Sequence, residues 1–188
     1  MQPWETCEGK QVWKTESQYF TWLRGAIRRI WSDYPVRKVW KNEQLRGITQ
    51  EEKDSKKYHF ATKKVGQCAF CLKWMSGSKL QCDHKHASNG YKTIEESMQF
   101  LIHCAYTLPS DWQLACKSCH DIKSYSDRHN ITFEEASIEK QIISMMKNKK
   151  AVNEILSKNH LPGHNDKVRK EGLRTILKQK EKVNSNAK

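Results

Sequence analysis

The amino-acid sequence predicts an α+β fold in which a small strand-bearing centre, stapled by a metal ion, sits between mainly helical, basic extensions. Two CxxC pairs, Cys68 with Cys71 and Cys116 with Cys119, supply the staple. Three Thr-x-x-Glu capping boxes, at Thr49/Glu52, Thr93/Glu96 and Thr132/Glu135, mark helix starts, because the threonine hydroxyl and the glutamate carboxylate each accept from an otherwise orphaned N–H. Between the cysteine pairs, Lys79-Leu80-Gln81-Cys82 alternates polar and apolar residues, the period of a half-buried strand.

Two residues between cysteines let both sulfurs turn toward one ion about 2.3 Å away, so two such pairs point to a tetrahedral zinc site. A four-thiolate zinc is coordinatively closed and has no position for water or substrate. Any chemistry must therefore come from other groups, and Asp83, His84 and His120 lie beside the cysteines in sequence.

The chain has 188 residues, room for one modest domain with appendages, and a net charge of +13 with a pI near 9.4. Lysines and arginines number 14 against 8 acids over residues 1–64, 7 against 6 over 65–132 and 13 against 7 over 133–188. These three segments are the expected organisation: a helical N-terminal extension, a metal-stapled core and a helical C-terminal extension whose end is either helix or disordered arm. Positive flanks around a nearly neutral centre suit a polyanion held by its phosphates. The N-terminus lacks a basic stretch followed by an apolar run, and no apolar run approaches the roughly 18 residues of a membrane span. A cytoplasmic protein with reduced, metal-binding thiols is expected. Cys82 and Cys104 read as small core residues, and Cys7 has no assigned part.

Residues 1–16 show no usable period. From Ser17 the apolar stripe Phe20, Leu23, Ile27, Ile30 and Trp31 predicts an amphipathic helix that Pro35 stops. Its arginines, Arg24, Arg28 and Arg29, together with Arg37, Lys38 and the tryptophans Trp22, Trp31 and Trp40, form either a wet face or a DNA-backbone contact. The Thr49 box opens a short helix over 50–59, and Lys53, Lys56, Lys57, Lys63 and Lys64 follow as a solvated face or a phosphate contact. The first knuckle is then expected to lead into a hairpin turning at Met75-Ser76-Gly77-Ser78, whose strand delivers Asp83 and His84 at its end.

Ser88-Asn89-Gly90 reads as a loop before a helix that presents Met98, Leu101, Ile102 and Ala105 to the core, with His103 a surface or core histidine. A further helix should run from Cys119 through Lys123 to Arg128, and another over 133–147 with Ile138, Ile142, Ile143 and Met146 inward and Lys147, Lys149 and Lys150 at its C-terminal end. Residues 151–157 add one more turn. The segment 165–180 is a short basic helix or a disordered arm carrying Val168, Leu173, Ile176 and Leu177; His160 and His164 belong to the loop before it.

The order Cys68-x-x-Cys71, Gln81-Cys82-Asp83-His84, then Asp111-Trp112-Gln113-Leu114-Ala115-Cys116-Lys117-Ser118-Cys119-His120-Asp121-Ile122-Lys123 resembles the zinc-bearing form of the HNH endonuclease family, over about a third of the chain. The basic N-terminal region is similar, more weakly, to the flank of phage members. The resemblance implies a ββα-metal (His-Me finger) core, structural Zn²⁺ on Cys68, Cys71, Cys116 and Cys119, a catalytic Mg²⁺ or Mn²⁺ on Asp83 and His120, and His84 as the base that activates water. Two departures stand out. Asp111 replaces the usual middle Asn, able to accept backbone hydrogen bonds but unable to donate as an amide does. The usual Pro after Asp-His is missing, and Asp83-His84-Lys85-His86 is similar to the Asp-His-x-His of junction-resolving relatives. Lys85, Lys117 and Lys123 are the expected phosphate contacts in the core, with Lys123 first by motif position, and His86 is either an additional phosphate or metal contact or a plain surface histidine.

The expected function is hydrolysis of DNA phosphodiesters, leaving 5′-phosphate and 3′-hydroxyl ends, by a monomer or homodimer acting in the host-cell cytoplasm if phage-borne. DNA is the expected partner, with packaging or replication proteins of a phage beside it. A branched-DNA resolvase of the same fold and a zinc-stabilised DNA-binding module without catalysis are the alternatives.

Overall fold

Among the described residues, seven α-helices begin where a Thr or Asn side chain accepts from an N–H of the first turn: Thr6, Thr15, Thr49, Thr93, Thr132, Asn148 and Asn165. The glutamates of the three expected capping boxes reach back as predicted. The structure is a computed structural model that describes residues 1–86 and 90–186, with side chains to residue 180. The expected loop residues Ser88 and Asn89 therefore lie outside the described residues. The fold is α+β, with two small antiparallel sheets, and divides into two units, Met1–His120 and Asp121–Lys188.

In the first unit, α1 (Cys7–Val12) precedes α2 (Glu16–Asp33), whose Phe20 and Ile27 are buried. Residues 1–16, without a legible period, thus hold a short helix. Pro35 ends α2 but also opens α3 (Pro35–Glu43), which the apolar periodicity did not predict: at N1 the ring's fixed φ suits a helix and its missing N–H costs nothing. β1 (Arg46–Gly47) and α4 (Gln50–Asp54) follow, the latter shorter than expected.

β2 (Lys64–Gln67) and β3 (Trp74–Ser76) pair antiparallel around the first knuckle, with β1 on the other edge of β2. The hairpin therefore encloses the cysteines rather than following them. Met75 and Ser76, expected in its turn, lie in β3. The strand carrying Asp83 and His84, β4 (Leu80–His84), takes its partner from a distance, β5 (Trp112–Cys116). Gly66 lets the two sheets approach. A Cβ there would fall 2.6 Å from Leu45 Cδ2, 2.9 Å from Leu80 Cδ1 and 3.1 Å from Leu114 Cδ1.

Between β4 and β5 runs α5 (Ile94–Ala105), with a face inward that neighbours the one expected. Ser97, Phe100 and Cys104 are buried, and Met98, Leu101 and Ile102 are exposed. Apolar residues occupy nearly every side of this helix, so its period alone could not choose. The choice falls to α2, whose Phe20 and Ile27 form one cluster with Tyr91, Phe100 and Cys104. Cys82 and Cys104 are core residues as expected.

The second unit holds α6 (Lys117–His129) from Asp121 onward, α7 (Phe133–Met145), α8 (Lys149–Lys158) and α9 (Asp166–Asn186). Its core is Ile138, Ile142, Val152, Leu156, Leu173 and Ile176. The expected turn at 151–157 is a full helix, and the C-terminal segment is helix rather than disordered arm, because Leu173 and Ile176 have a core to enter. Ile143 is exposed, and Lys149 and Lys150 open α8 instead of closing α7. No helix among the described residues is long and apolar enough to cross a membrane.

Replacing Gly66 by Ala should destabilise the protein by about 1–3 kcal/mol, because Leu80 and Leu114 are buried and must shift. Gly25, within α2, has nothing within 4 Å of the position a Cβ would take, and should gain up to about 1 kcal/mol as Ala. Urea denaturation of the two zinc-loaded variants beside the parent checks both signs.

Candidate metal centre and the Asp83–His120 pair

The four cysteines converge. Cys68 follows β2, Cys71 lies in the knuckle, Cys116 ends β5 and Cys119 sits in the first turn of α6. Their sulfurs all lie within 4.8 Å of one another, a spread that a tetrahedral ion at about 2.3 Å would draw together only slightly. Backbone bonds shape the nest: Leu72 N–H donates to Cys68 C=O at 2.9 Å, Leu72 takes a left-handed φ of 57°, and Ala69 N–H donates to Leu114 C=O at 2.8 Å, tying the knuckle to β5. The donor set fits zinc.

The thiols are electrostatically unequal. Burial pushes Cys116 up, but Ser118 Oγ at 3.2 Å, the Cys119 N–H and the Cys119 and Cys68 thiols together bring it down to about 7. Burial raises Cys119 and Cys71 above the ordinary thiol range. One sulfur thus gathers hydrogen bonds from its neighbours, and a divalent ion replacing those protons would bind more weakly as pH falls.

Asp83 and His84, successive residues of β4, point to opposite faces of the sheet, as a period of two requires. Asp83 is opposite Gln113, whose Nε2 donates to Asp83 Oδ2 at 3.2 Å. Its Oδ1 lies 3.5 Å from His120 Nε2, with side-chain exposures of 10% for Asp83 and 35% for His120. His120 is the residue after Cys119, so the knuckle that would hold the ion also places this imidazole.

His84 takes the other face, opposite Trp112. Its ring is buried between those of Trp31, at 3.9 Å, and His103, at 4.1 Å. Trp112 is itself buried, with Trp31, Tyr34 and Trp40 set edge-on at 5.4, 5.9 and 5.6 Å. Trp31 and Trp40, candidates for a DNA contact, are instead walls of this aromatic cluster, while Trp22 stays half exposed beside Trp13.

The remaining expected site residues are dispersed. Asp111 accepts from Leu108 N–H at 3.4 Å, the backbone-bracing bond an aspartate can still make. Lys85 closes the end of the β4–β5 pair, its N–H donating to Asp111 C=O at 2.7 Å and its Nζ to Ser110 C=O at 2.6 Å. His86 and Lys117 are exposed. Lys123, on α6 within the second unit, pairs with Asp127 at 2.9 Å. Arg24 donates to Tyr91 C=O at 3.0 Å and Arg28 lies over the Phe100 ring at 5.7 Å, so both help bind α2 to the segment leading through α5; Arg29 is exposed.

Gln113 is a site residue that the sequence motif includes without a role, its signal being a lone amide in the apolar run Trp112–Ala115. His103 carries no such signal. Among the described residues the cysteines form the sole group of three or more potential metal-binding side chains.

Thiol reactivity should sort by environment. Burial pushes Cys82 up to about 12 and Cys104 up to about 11, whereas Cys7 is exposed. Alkylation of zinc-loaded protein at neutral pH, read by mass spectrometry, should label Cys7 alone, and metal removal should add Cys68, Cys71, Cys116 and Cys119. Labelling of those four at the rate of Cys7 with zinc present would show that they do not hold the ion.

No protein-family model, curated protein or solved structure matches this chain.

Proposed function

We propose that the chain is a metal-dependent DNA endonuclease with a ββα-metal core of the HNH type. The observation that carries the reading is Asp83 Oδ1 set 3.5 Å from His120 Nε2 on a β4–β5–α6 arrangement that also bears Cys116 and Cys119 of the four-cysteine nest. A carboxylate oxygen and an imidazole nitrogen at that separation are close to the roughly 3 Å spacing of neighbouring ligands on an octahedral ion. Two protein ligands leave the other positions to water and phosphate oxygens. The bound Mg²⁺ or Mn²⁺ would neutralise charge on the scissile phosphate and on the departing 3′ oxygen.

The residues have distinct parts. Asp83 and His120 would hold the ion, and Gln113 fixes the carboxylate's rotation through Oδ2. His84 lies on the sheet face opposite Asp83, and would serve as the base that takes a proton from the attacking water only after its ring leaves the enclosure of Trp31 and His103. The cysteine ion is scaffold, and Asp111 and Lys85 brace the strand ends. The +13 chain holds the polyanion.

The enclosure of His84 between Trp31 and His103 favours a second reading, a zinc-stabilised DNA-binding module in which His84 only packs.

Supercoiled plasmid incubated with zinc-loaded protein and Mg²⁺ or Mn²⁺ separates the two. Nicked product is expected from the parent, with losses of about 100-fold or more for Asp83→Ala and His120→Ala and a comparable loss for His84→Ala. Unchanged nicking by His84→Ala would reassign that residue to packing. No cleavage by any metal form, with salt-sensitive DNA binding intact, would leave the binding module; preferential cutting of four-way junctions over linear duplex would mark a resolvase.

A further inference from the structure

From Lys53 to Lys64 the chain carries five lysines, Lys53, Lys56, Lys57, Lys63 and Lys64, against the single acid Asp54. Lys57 is held by Glu52 at 3.3 Å and lies over the Tyr58 ring. The other four are exposed and have no ion-pair partner among the described residues. In their midst Phe60 is 94% exposed, more than any other large apolar side chain described except Met1 at the chain end.

This phenyl ring is held out by a built frame. Lys57 N–H donates to Glu52 C=O at 3.2 Å, Thr62 N–H to His59 C=O at 2.8 Å and Ala61 N–H to His59 Nδ1 at 3.2 Å. Lys56 takes a left-handed φ of 51°, turning the chain out of α4, and the His59 ring lies 4.3 Å from that of Phe60. The base is closed by the β1–β2 pairing of Gly47 with Lys64 and by Arg46, whose two nitrogens donate to both Glu52 oxygens at 2.8 Å.

We propose that residues 55–63 form a DNA wedge, with Phe60 inserted between adjacent base pairs of a duplex while Lys53, Lys56, Lys63 and Lys64 take the flanking phosphates. A base step complements this surface in both respects: π faces for the ring, anions on either side for the ammonium groups. Partial unstacking by an apolar wedge kinks the duplex. One fully exposed ring, with Tyr58 half-buried and held by Glu52 and Lys57, is too little apolar surface to anchor in a lipid bilayer. The loop's exit strand, β2, runs directly into Cys68, so the wedge is joined to the framework that carries Asp83 and His120. The inference rests on the DNA-acting reading above and adds the element that deforms the substrate.

The test uses the full zinc-loaded chain, without chelator and without Mg²⁺ or Mn²⁺, and a short duplex carrying a donor and an acceptor dye at its ends. The parent should bind and raise energy transfer by bending the duplex. Phe60→Ala should bind about tenfold more weakly and lose the bend, Phe60→Leu should keep most of both, and Lys56→Gln with Lys63→Gln should lower the salt slope of binding by about two. Zinc content and circular dichroism control for folding, which an exposed side chain should leave unchanged. Parent-like affinity and bending in Phe60→Ala overturns the wedge and leaves the nuclease reading standing. Failure of the parent to bind any duplex overturns both. Phe60-dependent binding to phosphatidylglycerol vesicles with Phe60-independent binding to DNA overturns the wedge in favour of a lipid surface.

Discussion

Convergence of four sulfurs within 4.8 Å is the constraint on which the first unit depends. Cys116 N–H donates to Cys68 Sγ at 3.4 Å across 48 residues of sequence, so the nest closes a long loop whose entropy a short sheet would offset poorly alone. The sheets themselves are small: β4 and β5 pair over five residues, and β1, β2 and β3 over two or three. An ion on the four thiols would couple its binding free energy to folding, as in other small metal-stapled folds.

Placement of the polar pair follows from that closure. β5 ends at Cys116, α6 begins at Lys117, and His120 comes one residue after the last cysteine. Pairing of β5 with β4 then sets Asp83 opposite Gln113 and within reach of His120, while Lys85 and Asp111 lock the far end of the ladder. Two ends of one short strand pair thus hold different things, a closed thiolate nest and a carboxylate facing an imidazole.

The alternation of β4 divides Asp83 from His84. Asp83 meets Gln113 and His120, whereas His84 enters an aromatic cluster built by Trp31 from α2, Trp112 from β5 and His103 from α5. The N-terminal helices therefore serve the centre from behind. Arg24 and Arg28, which read as DNA contacts when counted as charge, spend their reach on Tyr91 and Phe100, while Lys53, Lys56, Lys63 and Lys64 keep theirs for solvent. Positive charge in this chain is thus of two kinds, some braced between elements and some free in solvent.

The local chemistry was legible in the sequence. The CxxC pairs announced the four-thiolate nest, three Thr-x-x-Glu boxes opened helices where expected, and Leu80–Cys82 lay on a strand ending in Asp83 and His84, with Lys79 in the 3-10 turn before it. Those signals act over a few residues, through cap hydrogen bonds, side-chain alternation and ligand spacing. What only the tertiary structure decided were choices between equivalent local answers. β4 took β5 as its partner across the whole of α5, and α5 turned Phe100 and Cys104 inward in place of Met98 and Ile102. Pro35 opened a helix instead of simply ending one, and Trp31 and His103 closed on His84. Each depends on which apolar surface arrives opposite, and that is set by burial between segments distant in sequence.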